Sequence, residues 1–286
     1  MVFKNILIPI SSEFYTKDIL EKGAFLAKCF ESKVTIVYII EEKTIYQTEK
    51  RSDTFRTRVE KEETKKVIIK SQMKTADTIV FADAKLYFNS KGIIPTKKIV
   101  KGEFSTVIEN EIKTQNFDLV LMEYNKEGLL KYRILDEIDI PLWIVGTFGD
   151  HTLLAVSSNL TPNQKIPQMS QKLAQILNWD LQLIYIVDIG ETITFDEKTK
   201  RFVKISVKDL IDNGQKFVDD LKNRDIKARM VSGGFQEITV QTAKQLNAGL
   251  IVLGQEQKRY DILGFPVKSM NQKIAEKSKY SMLFLK

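Results

Sequence analysis

Residues 232–254, SGGFQEITVQTAKQLNAGLIVLG, lie without a gap on residues 101–123, KGEFSTVIENEIKTQNFDLVLME. In that register Gly102 meets Gly233, Phe104 meets Phe235, and LVLM at 119–122 meets LIVL at 250–253. A glycine turn, an amphipathic segment and an unbroken apolar run thus occur twice in one chain. Such self-similarity marks two copies of one structural unit.

The duplication continues outward. NILIPIS (5–11) and HTLLAVS (151–157) are apolar runs ending in serine. Amphipathic segments follow, TKDILEKGAFLAKCF and QKIPQMSQKLAQILNW, and then VTIVYII (34–40) and LQLIYIV (181–187). Each half closes on a short helix and a last strand, PLWIVG (141–146) and SMLFLK (281–286). The apolar runs do not alternate, so the strands are buried on both faces, as in a parallel sheet covered by helices. Strand and helix alternate, which predicts an α/β fold of two tandem doubly wound, Rossmann-like domains, with ligands at the carboxyl ends of the strands. The expected domains are 1–147 and 148–286, joined by the short link Gly146-Thr147-Phe148-Gly149-Asp150 and packed as an internal pseudo-dimer. Apolar edge strands also suggest a further homodimer.

Composition narrows the chemistry. The 286 residues are 43% hydrophobic and 28% charged, ordinary values for a globular protein. No apolar run approaches the roughly 18 residues that span a bilayer, and the first segment reads as a strand rather than a signal peptide. A cytoplasmic protein with no membrane partner is expected. The single cysteine, Cys29, and single histidine, His151, argue against a zinc cluster or a Cys-His pair; Cys29 is expected to pack as a small buried hydrophobe. Trp143 and Trp179 are expected to serve core packing. The net charge of +7 favours acidic partners. The lysines are interspersed with glutamates and read as a solvated surface, with nucleic acid a lesser candidate. Glu41 to Gly92, rich in Lys, Arg, Glu and Thr, is longer than its counterpart Asp188 to Asp225. It is expected to form a long exposed helix with i,i+4 charge pairs, or else a partner-binding arm.

This doubled order of elements resembles the universal stress protein family, specifically its tandem two-domain members. NILIPIS-SE at the start, the G-x-F-x-x-V-I pattern at Gly102 to Ile108, and LIVLG at 250–254 carry the resemblance, with the second half the closer. It implies an adenine-nucleotide alpha hydrolase-like fold and a site in three parts. An aspartate ends the first strand, an apolar residue of the second strand lies against adenine, and a G-x-x-G-x9-G-[ST] loop wraps the phosphates. Glycines there let backbone N–H groups approach phosphate closely.

Here the aspartate position holds Ser11 and Ser157, and the second part is Ile39 and Ile186. The first-half loop begins at Glu123, a carboxylate that repels phosphate. The second keeps Gly254, but Gln257 and Val267 replace the later glycines, and Lys268-Ser269 stands one residue past the expected Gly-Ser. Losing two charge-assisted backbone contacts, at about 1.5–3 kcal/mol each, costs two or more powers of ten in affinity. Lys258, Arg259 and Lys268 offer charge instead; a solvated basic loop accounts for them as well.

VSGGFQE (231–237) follows a third strand, so it reads as a helix-entry turn and not as the SGG motif of adenylating enzymes. No catalytic residue and no metal ligand is assigned. The expected function is that of a stress-associated regulatory or interaction protein with weak or absent ATP binding. The alternative is a nucleotide sensor that uses Ser157, Ile186, Gly254, Lys268 and Ser269 of the second domain to hold ATP with Mg, with slow hydrolysis at most.

Overall fold

The computed structural model describes residues 2–11, 15–41, 57–124, 135, 138–147, 149–161, 164–190, 193–196, 201–254 and 270–286. The chain separates into two compact units, Phe3–Val145 and Gly146–Lys286.

In unit 1, β1 (Asn5–Ser11), α1 (Lys17–Phe30) and β2 (Lys33–Glu41) lead to a helical run in two parts. These are α2 (Arg58–Thr75) and α3 (Phe81–Asn89), joined by one π turn at Ala76–Val80. Then come β3 (Thr96–Gly102), α4 (Phe104–Thr114), β4 (Leu119–Glu123) and β5 (Leu142–Val145). All pairings are parallel, and the strand order is β5-β4-β1-β2-β3. Ile6, Ile8 and Ile10 on one face of β1 and Leu7 on the other are fully buried, which is why this strand cannot alternate in polarity.

Unit 2 repeats the plan with β6 (Asp150–Ser158), α5 (Lys165–Leu177) and β7 (Asp180–Val187), then α6 (Val207–Lys222) and β10 (Ala228–Ser232). It closes with α7 (Phe235–Gln245), β11 (Ala248–Gly254), α8 (Met270–Lys277) and β12 (Met282–Leu285). Its parallel order, β12-β11-β6-β7-β10, is the same as that of unit 1. An antiparallel hairpin, β8 (Ile193–Asp196) and β9 (Arg201–Lys204), interrupts the second crossover. The periodicity gave no sign of it.

The backbone supports the duplicated register position by position. Gly102 and Gly233 have φ of 153° and 148°, a region open to glycine, and each lies two residues before the first residue of a helix, Phe104 or Phe235. A Cβ on Gly102 would meet Val107 at 2.7 Å, and one on Gly233 would meet Ile238 at 3.1 Å. The residues ending α1 and α5, Glu31 and Asn178, share the left-handed conformation that closes a helix.

Two local expectations need correction. Cys29 is half-buried, because its helix turns only part of that face inward. In the segment 41–92, residues 42–56 lie outside the described residues. The rest forms a helix whose second part is not an exposed arm, since Ala76, Val80, Phe81, Ala84 and Phe88 are buried. Its outward lysines Lys66, Lys70 and Lys74 form no i,i+4 ion pairs among the described residues. Trp143 is fully buried; Trp179 is half-buried and stacks on His151 with ring centroids 5.6 Å apart.

Candidate functional site

A doubly wound sheet opens a crevice where the strand order reverses. That point lies between the carboxyl ends of β1 and β4 in unit 1, and of β6 and β11 in unit 2. Ser11 is the last residue of β1, and Ser157 stands next to last in β6. Both are buried, and neither hydroxyl makes a hydrogen bond among the described residues. A buried polar atom without a partner is uncommon in a native protein and marks a place where a group is left to be satisfied.

The surroundings of the two hydroxyls differ. In unit 1 the neighbouring strands end in carboxylates, Glu41 on β2 and Glu123 on β4, both half-buried. Two acidic groups beside the switch point oppose a triphosphate electrostatically. Among the described residues of unit 1, carboxylates thus stand where a triphosphate calls for positive charge.

In unit 2, Gly254 ends β11 opposite Leu285 and is buried. Its carbonyl accepts from the Asn271 side-chain amide at 2.8 Å, so the second residue of α8 grips the strand end and closes the base of the intervening loop. Ile186 and Ile39 are buried within β7 and β2 and serve the core in any version of this fold. Lys268 and Ser269, like Lys258 and Arg259, lie outside the described residues. Ser157, 1% exposed, lies at the switch point, where Gly254 ends β11. The Lys165 ammonium donates to the Lys286 carbonyl at 3.3 Å, one residue past the Leu285 that pairs with Gly254.

The sequence reading missed the polar cluster that shapes the mouth of unit 2. Asp188, directly after β7 and buried, accepts from the backbone N–H of Phe235 at 2.8 Å through Oδ2 and from that of Gly190 at 3.0 Å through Oδ1. Its own N–H donates to Asn159 Oδ1 at 2.8 Å, and its carbonyl accepts from Asn159 Nδ2 at 3.1 Å. Beside it the Ser158 hydroxyl oxygen accepts from the N–H groups of Leu160 and Thr161 at 3.0 and 3.2 Å. The visible signal was Asp188-Ile189-Gly190 after an apolar run, a pattern that favours an Asx turn. The N-terminus of α7 is consequently filled by the chain's own carboxylate. In unit 1, α4 is likewise capped by a carboxylate, with Thr106 N donating to Glu103 at 2.8 Å. Burial pushes the Glu103 carboxyl up, but the hydrogen bonds from Thr106 and Ser105 outweigh it and hold the group below its ordinary value.

Burial pushes the Cys29 thiol up, against the opposing pull of Lys22 and Lys91, which disfavours the thiolate.

Fold and switch points together define a duplicated, doubly wound α/β protein. The family profile described as "Universal stress protein family" matches residues 3–139. Unit 1 thus carries a domain of the universal stress protein family, and unit 2 repeats the same fold. The resemblance had been closer in the second half, around LIVLG; the profile finds the first half instead. Among solved structures, a universal stress protein from Archaeoglobus fulgidus DSM 4304 is similar at 10% identity and a TM-score of 0.64, covering 98% of this chain and 96% of that one. A protein from Pseudomonas aeruginosa UCBPP-PA14, provisionally named a universal stress protein, is similar at 12% identity and a TM-score of 0.63, covering 99% and 93%. At such identities the likeness concerns the fold. A comparison with curated protein sequences gave no match.

Proposed function

We propose that this tandem protein is a stress-associated regulatory or interaction protein whose crevices do not hold ATP tightly. The observation that carries the reading is the chemistry at the two switch points. Serine replaces a charged nucleoside partner twice, carboxylates flank the first crevice, and the second retains only Gly254 of the phosphate loop. Its partner is then a protein, and a homodimer is part of the proposal, with residence in the cytoplasm. The membrane observation is confined to this: no described helix is long and apolar enough to cross a bilayer.

A second reading rests on the unpartnered Ser157 hydroxyl beside Gly254. It makes unit 2 an adenine-nucleotide sensor, with Ser157 on the nucleoside, Gly254 opening the loop, and Lys268 and Ser269 toward the phosphates; Ile186 backs the base. Magnesium would accompany the triphosphate, and hydrolysis would be slow because no general base has been assigned.

Nucleotide carried through purification separates the two. Protein purified without added nucleotide is denatured by heat, and the supernatant is resolved by ion-pair chromatography. The first reading expects adenine nucleotide far below one per chain. A stoichiometric amount that falls in Ser157→Ala would replace it with the second.

A further inference from the structure

The positive charge of this protein is concentrated in one place. Residues 64–101 contain nine lysines against two aspartates, a net charge of +7, which equals that of the whole chain. The remainder is therefore balanced. Lys98 is spent on the buried Glu111, and Lys97 donates to the Phe81 carbonyl. Lys66, Lys70 and Lys74 on α2, Lys85 on α3, and Lys91 and Lys101 beyond it are exposed and form no ion pair among the described residues.

The same segment holds half of the exposed large aliphatic or sulfur side chains among the described residues. Val67 is 67% exposed, Met73 44%, Ile79 48%, Leu86 70% and Ile94 90%. Scattered singly they would mean nothing. Val67, Met73 and Leu86 are ordered by the helix, whereas Ile79 lies in the π turn and Ile94 beyond the run. Arg58 to Asn89 is one helical run, and its π turn inserts a residue. With that insertion the exposed positions Lys66, Lys70, Met73 and Lys74 continue into Lys85 and Leu86 along one side. Ala76, Val80, Phe81, Ala84 and Phe88 are buried on the other. Acidic groups share the run: Glu60, Glu62 and Glu63 are exposed in the first turns of α2, with Glu63 one turn before Lys66, and Asp77 is exposed within the π turn.

The run is also longer than the sheet it covers. The Tyr38 hydroxyl donates to Gln72 at 2.6 Å, which fixes α2 beside the end of β2. The 14 residues before Gln72 extend about 20 Å as helix, whereas β2 continues only three residues, about 10 Å, past Tyr38. The start of α2 therefore projects beyond the carboxyl end of β2.

We propose that this lysine- and aliphatic-bearing face docks on the anionic surface of a lipid bilayer. Lysines supply charge to the headgroups, and the aliphatic side chains between them enter the interfacial layer. A nucleic acid is the poorer fit. Residues 64–101 contain no arginine for bidentate contacts, and none of their aromatic side chains is exposed for base stacking. Docking of this kind leaves the fold intact and is distinct from spanning, so it revises only the expectation that no membrane is a partner.

The test is sedimentation of the full chain with vesicles of phosphatidylcholine alone and of phosphatidylcholine with about a third phosphatidylserine, at low and high salt. Partition into the anionic vesicles only, weakened by salt, is expected. Each interfacial lysine contributes about fivefold. The triple variant Lys66→Gln, Lys70→Gln, Lys74→Gln should thus lose about a hundredfold. Leu86→Ser with Met73→Ser should reduce the binding that survives high salt. A control triple in unit 2, Lys172→Gln, Lys208→Gln, Lys216→Gln, makes the same charge change at exposed positions and should leave partition unchanged. Equal losses in both triples would reduce the effect to net charge and overturn the proposal. So would absence from anionic vesicles at low salt, or retention on duplex DNA without vesicle binding, which would assign the face to nucleic acid.

Discussion

Asp188→Ala is expected to destabilise unit 2 by about 2–3 kcal/mol, chiefly through loss of the charge-assisted bond from the buried Phe235 N–H, with the bond from the exposed Gly190 adding little. The N–H groups of Phe235 and Gly190 would be left without their acceptor, with Phe235 N at a fully buried position. The Phe235 donor stranded in the core costs its desolvation, whereas the exposed Gly190 N–H can turn to water, and alanine's smaller volume gives no relief. Asn159 would keep its contacts to the main chain of residue 188, which ties the loss to the carboxylate. Asp188→Asn retains the shape and one acceptor without the charge and should cost about half as much. Chemical denaturation measured through unit 2, whose only tryptophan is Trp179, provides the readout. A change below about 1 kcal/mol in the alanine variant would mean that the carboxylate does not hold the mouth of unit 2.

Lys22→Met is expected to act in the opposite direction, stabilising unit 1 at pH 7. Lys22 is 4% exposed on the inward face of α1, with its ammonium 5.2 Å from the centroid of the Phe25 ring. Burial lowers its pKa from 10.5 to about 8, against smaller opposing contributions from Cys29 and Glu21. The folded state thus releases this proton more readily than the unfolded chain. Between about pH 8 and 10.5 the unfolded chain binds more protons, so the contribution of this group to stability rises with pH across that window. Below pH 8 the full penalty applies, about 3 kcal/mol at about 1.4 kcal/mol per pKa unit. Methionine keeps the unbranched stem without the charge. The variant should melt several degrees higher at pH 7 and lose the upward slope above pH 8. A variant no more stable than the parent would show that the buried ammonium carries no such penalty.

How far the sequence could be read followed from which interactions were local. Buried parallel strands announce themselves as unbroken apolar runs, and Gly102 and Gly233 announce a backbone conformation, so fold and duplication were both legible. The hairpin β8–β9 was not, since its residues, ITFD and RFVK, are short and flanked by charges. The site was legible only in part. Serine at 11 and 157 could be seen, but not that both hydroxyls would be buried without partners. Asp188 was passed over because its role depends on Phe235, 47 residues away, where α7 begins. Lys66, Lys70 and Lys74 align by ordinary helical spacing, but the continuation of their side to Lys85 and Leu86 depends on a π turn that periodicity does not reveal.

The central claim is that both switch points have lost the chemistry that grips a triphosphate. Calorimetric titration of the purified full chain with Mg-ATP, repeated with AMP, tests it most directly. The account predicts no saturable heat below millimolar ligand for either nucleotide. Saturable micromolar binding at one site per chain, abolished by Gly254→Asp or Lys268→Ala, would contradict it and make unit 2 a nucleotide sensor.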